Sequence, residues 1–311
     1  MKQILLILLL INLLLEAKNT QRQQVIMGTF GTITVKNKQK HTISEGFKLL
    51  KEIEGSLSSY NHNALLYQLN KTKTIIADKY LLESIHQSQQ FYKQSNGYFN
   101  IAIGSVTKKL YGFGANEKVP TSKELNEANS DINNIYIKDN HIKLSQKTTL
   151  DLGGMGKGFA VDKVANYYRE QNISYAIVAL SGDIQALHPT SIYLNSPFKK
   201  TSFAQLKTLH PNTSISTSGT YRRYVKSKEH HHLINPKSKR QGKSFVSITL
   251  ITQQNNTLID AMATAIGVMP EKEALKFLVN NPHIGYVLVR PNGNILYGNL
   301  EKLCNITWLF I

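Results

Sequence analysis

The stretch DLGGMGKG, Asp151–Gly158, sets four glycines within six positions, places Lys157 among them and runs straight into an apolar helical pattern. A loop of this composition can do one of two things. Its unpaired N–H groups and the positive end of the following helix can cradle an anion, to which Lys157 adds charge. Alternatively, the glycines permit a tight turn that packs a helix against a strand. Both readings stay open on this stretch alone. Neither of the familiar phosphate loops fits. A P-loop requires a glycine ahead of the four residues preceding its Gly-Lys pair and a Ser or Thr directly behind, and here Asp151 and Gly158 hold those positions. The dinucleotide fingerprint Gly-x-Gly-x-x-Gly fails as well, because Gly154, Gly156 and Gly158 recur at every second residue. Asp151 would repel a phosphate, so its carboxylate must hydrogen-bond an uncharged part of a ligand or support a metal.

Working outward, strand-like TTLDL precedes the loop, and the helix after it shows Ala160, Val161, Val164 and Tyr168 on one face. SYAIVALSGDI reads as a buried strand ending at Gly182-Asp183. Upstream, VIMGTFGTITV alternates as a strand or hairpin broken at Gly28 and Gly31, and a helix follows with Ile43, Phe47, Leu50 and Ile53 on one face. Asp78 caps a second helix that carries Leu81, Ile85 and Tyr92 and ends at Gly97. Thr121 to Glu124 forms a capping box, and IYIKDNHIKL makes two strands around Asp139-Asn140. Downstream, SIYLN, SISTSG, RRYV, HHLI and SFVSITLIT read as strands, followed by helices TLIDAMATAIGVM and PEKEALKFLVNN and a hairpin turning at Asn292-Gly293. Strands and helices mix without regular alternation, so the expected class is α+β in one compact body over residues 20–311.

Composition narrows the partners. A chain of 311 residues with 41% hydrophobic and 18% charged residues is an ordinary globular one. It carries 37 Lys and Arg against 20 Asp and Glu, a net +17, which suits nucleic acid, an anionic membrane surface or an acidic ligand. No zinc-finger spacing or RNA-binding signature accompanies the charge, so nucleic acid is not expected. Lys2 precedes an apolar run from Ile4 to Leu15, too short for a membrane span of about 20 residues. Residues 1–17 therefore read as a secretory signal. Leu15 fits poorly ahead of a cut after Ala17, which keeps an uncleaved N-terminal anchor open. The expected location is outside the cytoplasmic membrane, in the periplasm, either free or attached to the inner membrane. The single cysteine, Cys304, excludes internal disulfides and a cysteine-rich zinc site.

Two further constellations could carry chemistry. Asp260 and Thr264 lie four apart on a helix, so their side chains share a face; a carboxylate with a hydroxyl suits a hard cation such as Mg²⁺. Asp260 also reads as part of the first helical turn behind Thr257, where the helix dipole alone favours an acid. In the strand HHLI, His230 and His232 would point together, and no Cys or acid nearby completes a zinc set. A single histidine acting as general base is one reading, and a solvated basic hairpin is the other, with eight Lys and Arg between Arg222 and Lys243.

The pieces MGTFGTITV, YGFG, DLGGMGKGFAVDKVA, LSGDI, STSGTYRRY, HHLINP and IDAMATA occur together and in order, and this series resembles the FAD:protein FMN transferase family, also called ApbE. The resemblance spans about Val25 to Gly298. It implies a single compact, two-lobed, T-fold-related domain that transfers FMN from FAD to a Ser or Thr hydroxyl of a client flavoprotein, with Mg²⁺, releasing AMP. It implies FAD contacts at Met27, Tyr60, Tyr98, Phe99, Asn100, Asp151, Lys157 and Leu233. Metal ligands are implied at the Gly154 carbonyl, Asp260 and Thr264, and His232 falls at the base position. Thr217, Ser218 and Gly219 match a turn near the same cleft. The chain departs from the family in having Asn100 and Asn235 where Asp is usual, Ser238-Lys239 in place of Thr-Gly, and Thr220 where an acid is common. FAD hydrolysis to FMN and AMP, or FAD binding without turnover, are the alternatives.

Overall fold

The computed structural model describes residues 19–309. The expected signal or anchor at residues 1–17 lies outside them. The chain opens with a hairpin, β1 (Asn19–Ile26) and β2 (Thr29–Lys36), whose turn residues Met27 and Gly28 both have positive φ, +52° and +70°. That pairing matches the mirror-image turn that follows strand twist. Helices α1 (Thr42–Leu57) and α2 (Leu65–Thr72) come next, then β3 (Thr74–Ile76) and α3 (Lys79–Gln94). Asp78 caps α3 by accepting from the Leu81 N–H at 2.8 Å, and Gly97, at φ +77°, follows its end. A π-helical turn, Ser105–Leu110, leads to α4 (Ser122–Glu127), which starts at the expected Thr121/Glu124 capping box. The hairpin β4 (Ile135–Lys138) and β5 (His141–Leu144) pairs with β3 in a three-stranded sheet.

The glycine-rich loop then delivers the chain into α5 (Gly156–Glu170). Strands β6 (Ala176–Leu180), β7 (Asp183–Ala186), β8 (Ser191–Asn195), β9 (Ser202–Thr208), β10 (Thr213–Gly219) and β11 (Ser247–Thr252) follow. Helices α6 (Asn256–Ile266) and α7 (Glu271–Asn280) precede β12 (Gly285–Val289), β13 (Ile295–Gly298) and β14 (Cys304–Trp308). Eight strands form one antiparallel sheet in the order β1-β2-β6-β7-β10-β11-β12-β13, and β14-β9-β8 form a third sheet.

Period-two alternation divides the large sheet between two cores. Ile248, Leu250 and Leu288 point into a core shared with Ala160, Val164, Ile259 and Met262 of α5 and α6. Ile215, Ile251, Val287 and Val289 point the other way, against Leu206, Ala204 and Cys304 of the third sheet. The result is the expected α+β class, with helices on one face of the main sheet and a small sheet on the other. A third cluster, with Val106, Tyr111, Phe113, Val225 and Ile234, ties the segment after α3 to the basic segment of the sequence.

Five local expectations are corrected. TTLDL is extended but forms only one parallel bridge, Ile103 to Thr149; Asn70 fixes its backbone by bonding both Leu150 N–H and C=O. Gly31 lies inside β2 and does not break it; a Cβ there would meet Ile26 and Leu180 side chains. RRYV and HHLI make only the isolated bridges Tyr224–His231 and Ile234–Gln241, because tertiary bonds to the chain around Gly242 replace a regular ladder. His230 belongs to a 3₁₀ turn, Lys228–His230, so it does not share a strand face with His232. Asp260 lies in the second turn of α6 rather than the first, since the cap is Asn255, two residues ahead of Thr257.

Candidate active site

Two helices define the cleft, and a glycine sets how closely they meet. A Cβ at Gly158 on α5 would lie 2.7 Å from the Asn256 carbonyl oxygen and 2.8 Å from the Asp260 Cβ on α6. Only glycine lets these backbones touch. The contact is reinforced by Asp162, one turn further along α5, whose carboxylate accepts from the N–H groups of Asn256 and Thr257, both at 2.8 Å, and from the Thr257 hydroxyl. Asp162 therefore satisfies the open donors of the first turn of α6 from a neighbouring helix. Asn256 in turn donates to the carbonyls of Ile184 and Ile215, seating α6 on the main sheet.

This docking brings the loop against Asp260 and Thr264. The Thr264 hydroxyl lies 3.2 Å from the Gly154 carbonyl oxygen. One turn earlier the Asp260 carboxylate accepts from the Gly158 N–H at 3.0 Å and stands 3.6 Å from the Lys157 ammonium. Lys157 also pairs closely with Asp183 at the start of β7, which itself accepts from the Ser216 hydroxyl at 2.5 Å. Burial opposes the charge on Lys157, but Asp183 and then Asp260 hold its pKa above the usual lysine range. Burial and then the neighbouring Asp183 carboxylate raise the Asp260 pKa as well, well above the usual carboxylate range.

Asp151 is turned to a different set of partners. It accepts from the Thr107 hydroxyl at 2.6 Å and the Gly153 N–H at 2.9 Å, with the Lys108 ammonium 3.6 Å away. Burial works to raise its pKa, but Lys108, Thr107 and Gly153 together leave it below the usual range. Lys108 continues to Tyr60, lying 4.0 Å from the ring centre, and Arg223 reaches the same hydroxyl, which donates to the Phe113 carbonyl at 2.8 Å. His232 Nδ1 lies 3.2 Å from the Arg223 carbonyl. Because a carbonyl can only accept, that bond puts the proton on Nδ1 and leaves Nε2 as the acceptor. Burial and then Arg223 bring the His232 pKa down to about 4.

The remaining expected residues are placed as follows. Phe99 is buried, and its ring would be 3.3 Å from a Cβ at Gly154. Tyr98 beside it has the Lys237 ammonium 3.8 Å above its ring. Met27 occupies the β1–β2 turn, its N–H donating to Glu54 at 2.7 Å. Leu233 is buried against Gly267 just past α6. Asn100 is committed to the protein itself, with its amide donating to the Ser130 carbonyl and its oxygen accepting from the Ala102 N–H. Asn235 is similarly engaged, to the Val268 carbonyl and the Lys237 N–H.

The oxygen donors suit a hard divalent cation. Among the described residues no group of three or more His, Cys, Asp or Glu could hold a metal, so a carboxylate, a hydroxyl and a carbonyl are what Asp260, Thr264 and Gly154 offer. That incomplete, all-oxygen set fits Mg²⁺, which keeps positions for water and substrate phosphate. A further opening lies at Gly156, a buried first residue of α5 around which a Cβ would meet no atom within 4 Å.

Asp183, Asp162, Thr107, Lys108 and Arg223 have no assigned role in the sequence reading. A charged residue directly after a buried strand was a usable signal for Asp183. Nothing local marked Asp162, whose role exists only once two helices cross.

Together these features define an α+β protein whose cleft joins oxygen donors, a lysine clamped by buried acids and a neutral imidazole. A family model described as the ApbE family matches residues 27–288, and the chain belongs to that family. It is 24% identical over 315 residues to the FAD:protein FMN transferase of Treponema pallidum, covering 90% of this chain and 87% of the relative. The FAD:protein FMN transferase of Haemophilus influenzae is 26% identical over 293 residues, with 86% and 83% covered. Among solved structures, the flavin transferase ApbE from Vibrio cholerae superposes with a TM-score of 0.79 at 23% identity, over 92% of this chain and 98% of that one. The ApbE protein of Thermotoga maritima gives 0.83 at 21% identity, over 91% and 98%. These likenesses bear out the fold.

Proposed function

We propose that this protein is a FAD:protein FMN transferase that moves FMN from FAD to a Ser or Thr hydroxyl of an exported or membrane-bound acceptor protein. The observation that carries the reading is the meeting of the Gly154 carbonyl, the Thr264 hydroxyl, Asp260 and Lys157 at one helix start, beside an uncharged histidine. The named activities of the relatives support it.

In this reaction the acceptor hydroxyl oxygen attacks the FMN phosphorus of FAD. A new P–O ester bond forms, the anhydride P–O bond breaks, and its electron pair leaves with AMP. Nε2 of His232 takes the hydroxyl proton, a role worth about 10²–10⁴-fold. Its depressed pKa keeps the ring neutral at physiological pH. Lys157, steadied by Asp183, presents positive charge to the pyrophosphate, and the open space at Gly156 admits it next to the α5 N–H groups. Mg²⁺ held by Asp260, Thr264 and the Gly154 carbonyl would supply neutralisation of the pyrophosphate. Tyr60, Tyr98, Phe99, Met27 and Leu233 provide apolar and aromatic surface for the flavin dinucleotide. We place the activity outside the cytoplasmic membrane, on the basic and apolar start of the sequence.

Incubation with FAD, Mg²⁺ and an acceptor protein, followed by intact mass, tests the proposal. Gain of one FMN by the acceptor, with AMP released, is the expected result. Free FMN and AMP without acceptor labelling would instead make the protein a FAD pyrophosphatase, and retained intact FAD would make it a flavin carrier.

A further inference from the structure

A cavity of about 800 Å³ lies beside the active site and is lined by five lysines, Lys71, Lys73, Lys108, Lys109 and Lys147. They come from three separate segments: the end of α2, the π-helical turn after α3, and the loop after β5. The fold therefore gathers charge that the sequence disperses. Two carboxylates also line the cavity, but Glu124 is already taken up by Lys118 at 2.9 Å and by the Thr121 capping box. Positive charge is left in excess within the cavity. Lys73 shows the crowding: burial and then Lys109 lower its pKa. None of the flavin contacts expected from sequence lines this space. Lys108 joins the two regions, since it lines the cavity and its ammonium lies 3.6 Å from Asp151. Asn70, which fixes Leu150 at the entrance of the glycine-rich loop, lines it too.

We propose that this cavity is the docking site for an acidic segment of the acceptor protein, an inference that rests on the transferase reading. Lysines contributed by three chain segments match an extended chain bearing several carboxylates better than they match one compact phosphate. Lys108, which lines the cavity and pairs with Asp151 of the glycine-rich loop, marks the side on which a segment held there would present its hydroxyl.

The test uses fluorescein-labelled hexaglutamate as probe, read by anisotropy on the full protein without FAD. The triple variant Lys71→Glu, Lys109→Glu, Lys147→Glu is compared with Lys199→Glu, Lys200→Glu, Lys207→Glu, a control with the same charge change on exposed residues outside the cavity. Expected is a loss of about tenfold or more in probe affinity for the cavity variant and less than about twofold for the control. FAD affinity and melting temperature should stay at wild-type values, and the KM for an acidic acceptor should rise with kcat kept. Equal losses in the two variants would overturn the docking site, as would parallel loss of FAD affinity, which would assign the lysines to the nucleotide. Competition by AMP or inorganic phosphate as strong as by unlabelled hexaglutamate would likewise overturn it in favour of a small anion. Because probe binding is read without turnover, wild-type failure to label an acceptor would instead count against the transferase reading itself.

Discussion

His232 has its positive charge opposed by burial first, then by Arg223, His231 and Lys157. Its folded pKa of about 4 lies below the unfolded value of about 6.5, so the unfolded chain binds the proton more readily. The stability this group contributes is present above pH about 6.5 and is lost as pH falls through about 4. As a base it must be neutral, so the acidic limb of kcat should fall near pH 4–5 instead of between 6 and 7. Stopped assays across pH 4–8 at saturating Mg²⁺, which holds Asp260 ionised, check this, and a limb near 6.5 under that condition would remove His232 from proton transfer. His232→Ala should slow single-turnover transfer by about 10²-fold or more while FAD affinity holds. The residue itself was legible in sequence, but the reason was not: its isolation depends on Arg223 and on a loop that is not a strand. That Asp260 and Thr264 share a face was legible, because helical spacing alone puts them there. Asn100 was legible as a position, but its side chain bonds only to its own chain.

Two glycines of one helix start make opposite predictions. At Gly158 an added methyl meets the Asn256 backbone at 2.7 Å, which cannot move aside cheaply, so Gly158→Ala should cost about 1–3 kcal/mol in urea melts and displace Asp260. At Gly156 it meets nothing within 4 Å, so Gly156→Ala should leave folding unchanged or stabilise it by up to about 1 kcal/mol, while FAD affinity falls. If both variants melt alike and both bind FAD normally, the distinction between a packing glycine and a ligand-facing one fails. Asp162→Ala should destabilise by about 1–3 kcal/mol, because it strands buried donors at the start of α6. Helices were readable from apolar spacing and caps, as at Asp78 and Thr121. The strands assigned to RRYV and HHLI were not, because alternation in a short basic segment does not reveal that its hydrogen bonds go to a distant loop.

Across the whole molecule the site joins chain segments that share no local signal. Gly154 and Thr264 are 110 residues apart, and they meet because α5 and α6 cross at Gly158 on one face of the eight-stranded sheet. The α+β class followed from irregular mixing of strands and helices, whereas the three-layer order needed the sheet register. No described helix is long and apolar enough to cross a membrane, and the apolar N-terminal run lies outside the described residues. The central claim is that this crossing builds a hard-cation site for flavin transfer. It is tested most directly by FMN transfer against Mg²⁺ concentration for the wild type, Asp260→Asn and Thr264→Val, with thermal melts alongside. The account predicts that Asp260→Asn needs at least about tenfold more Mg²⁺ or loses transfer, that Thr264→Val shifts the same way more weakly, and that both fold within about 1 kcal/mol of wild type. Superimposable Mg²⁺ curves for all three proteins would contradict it.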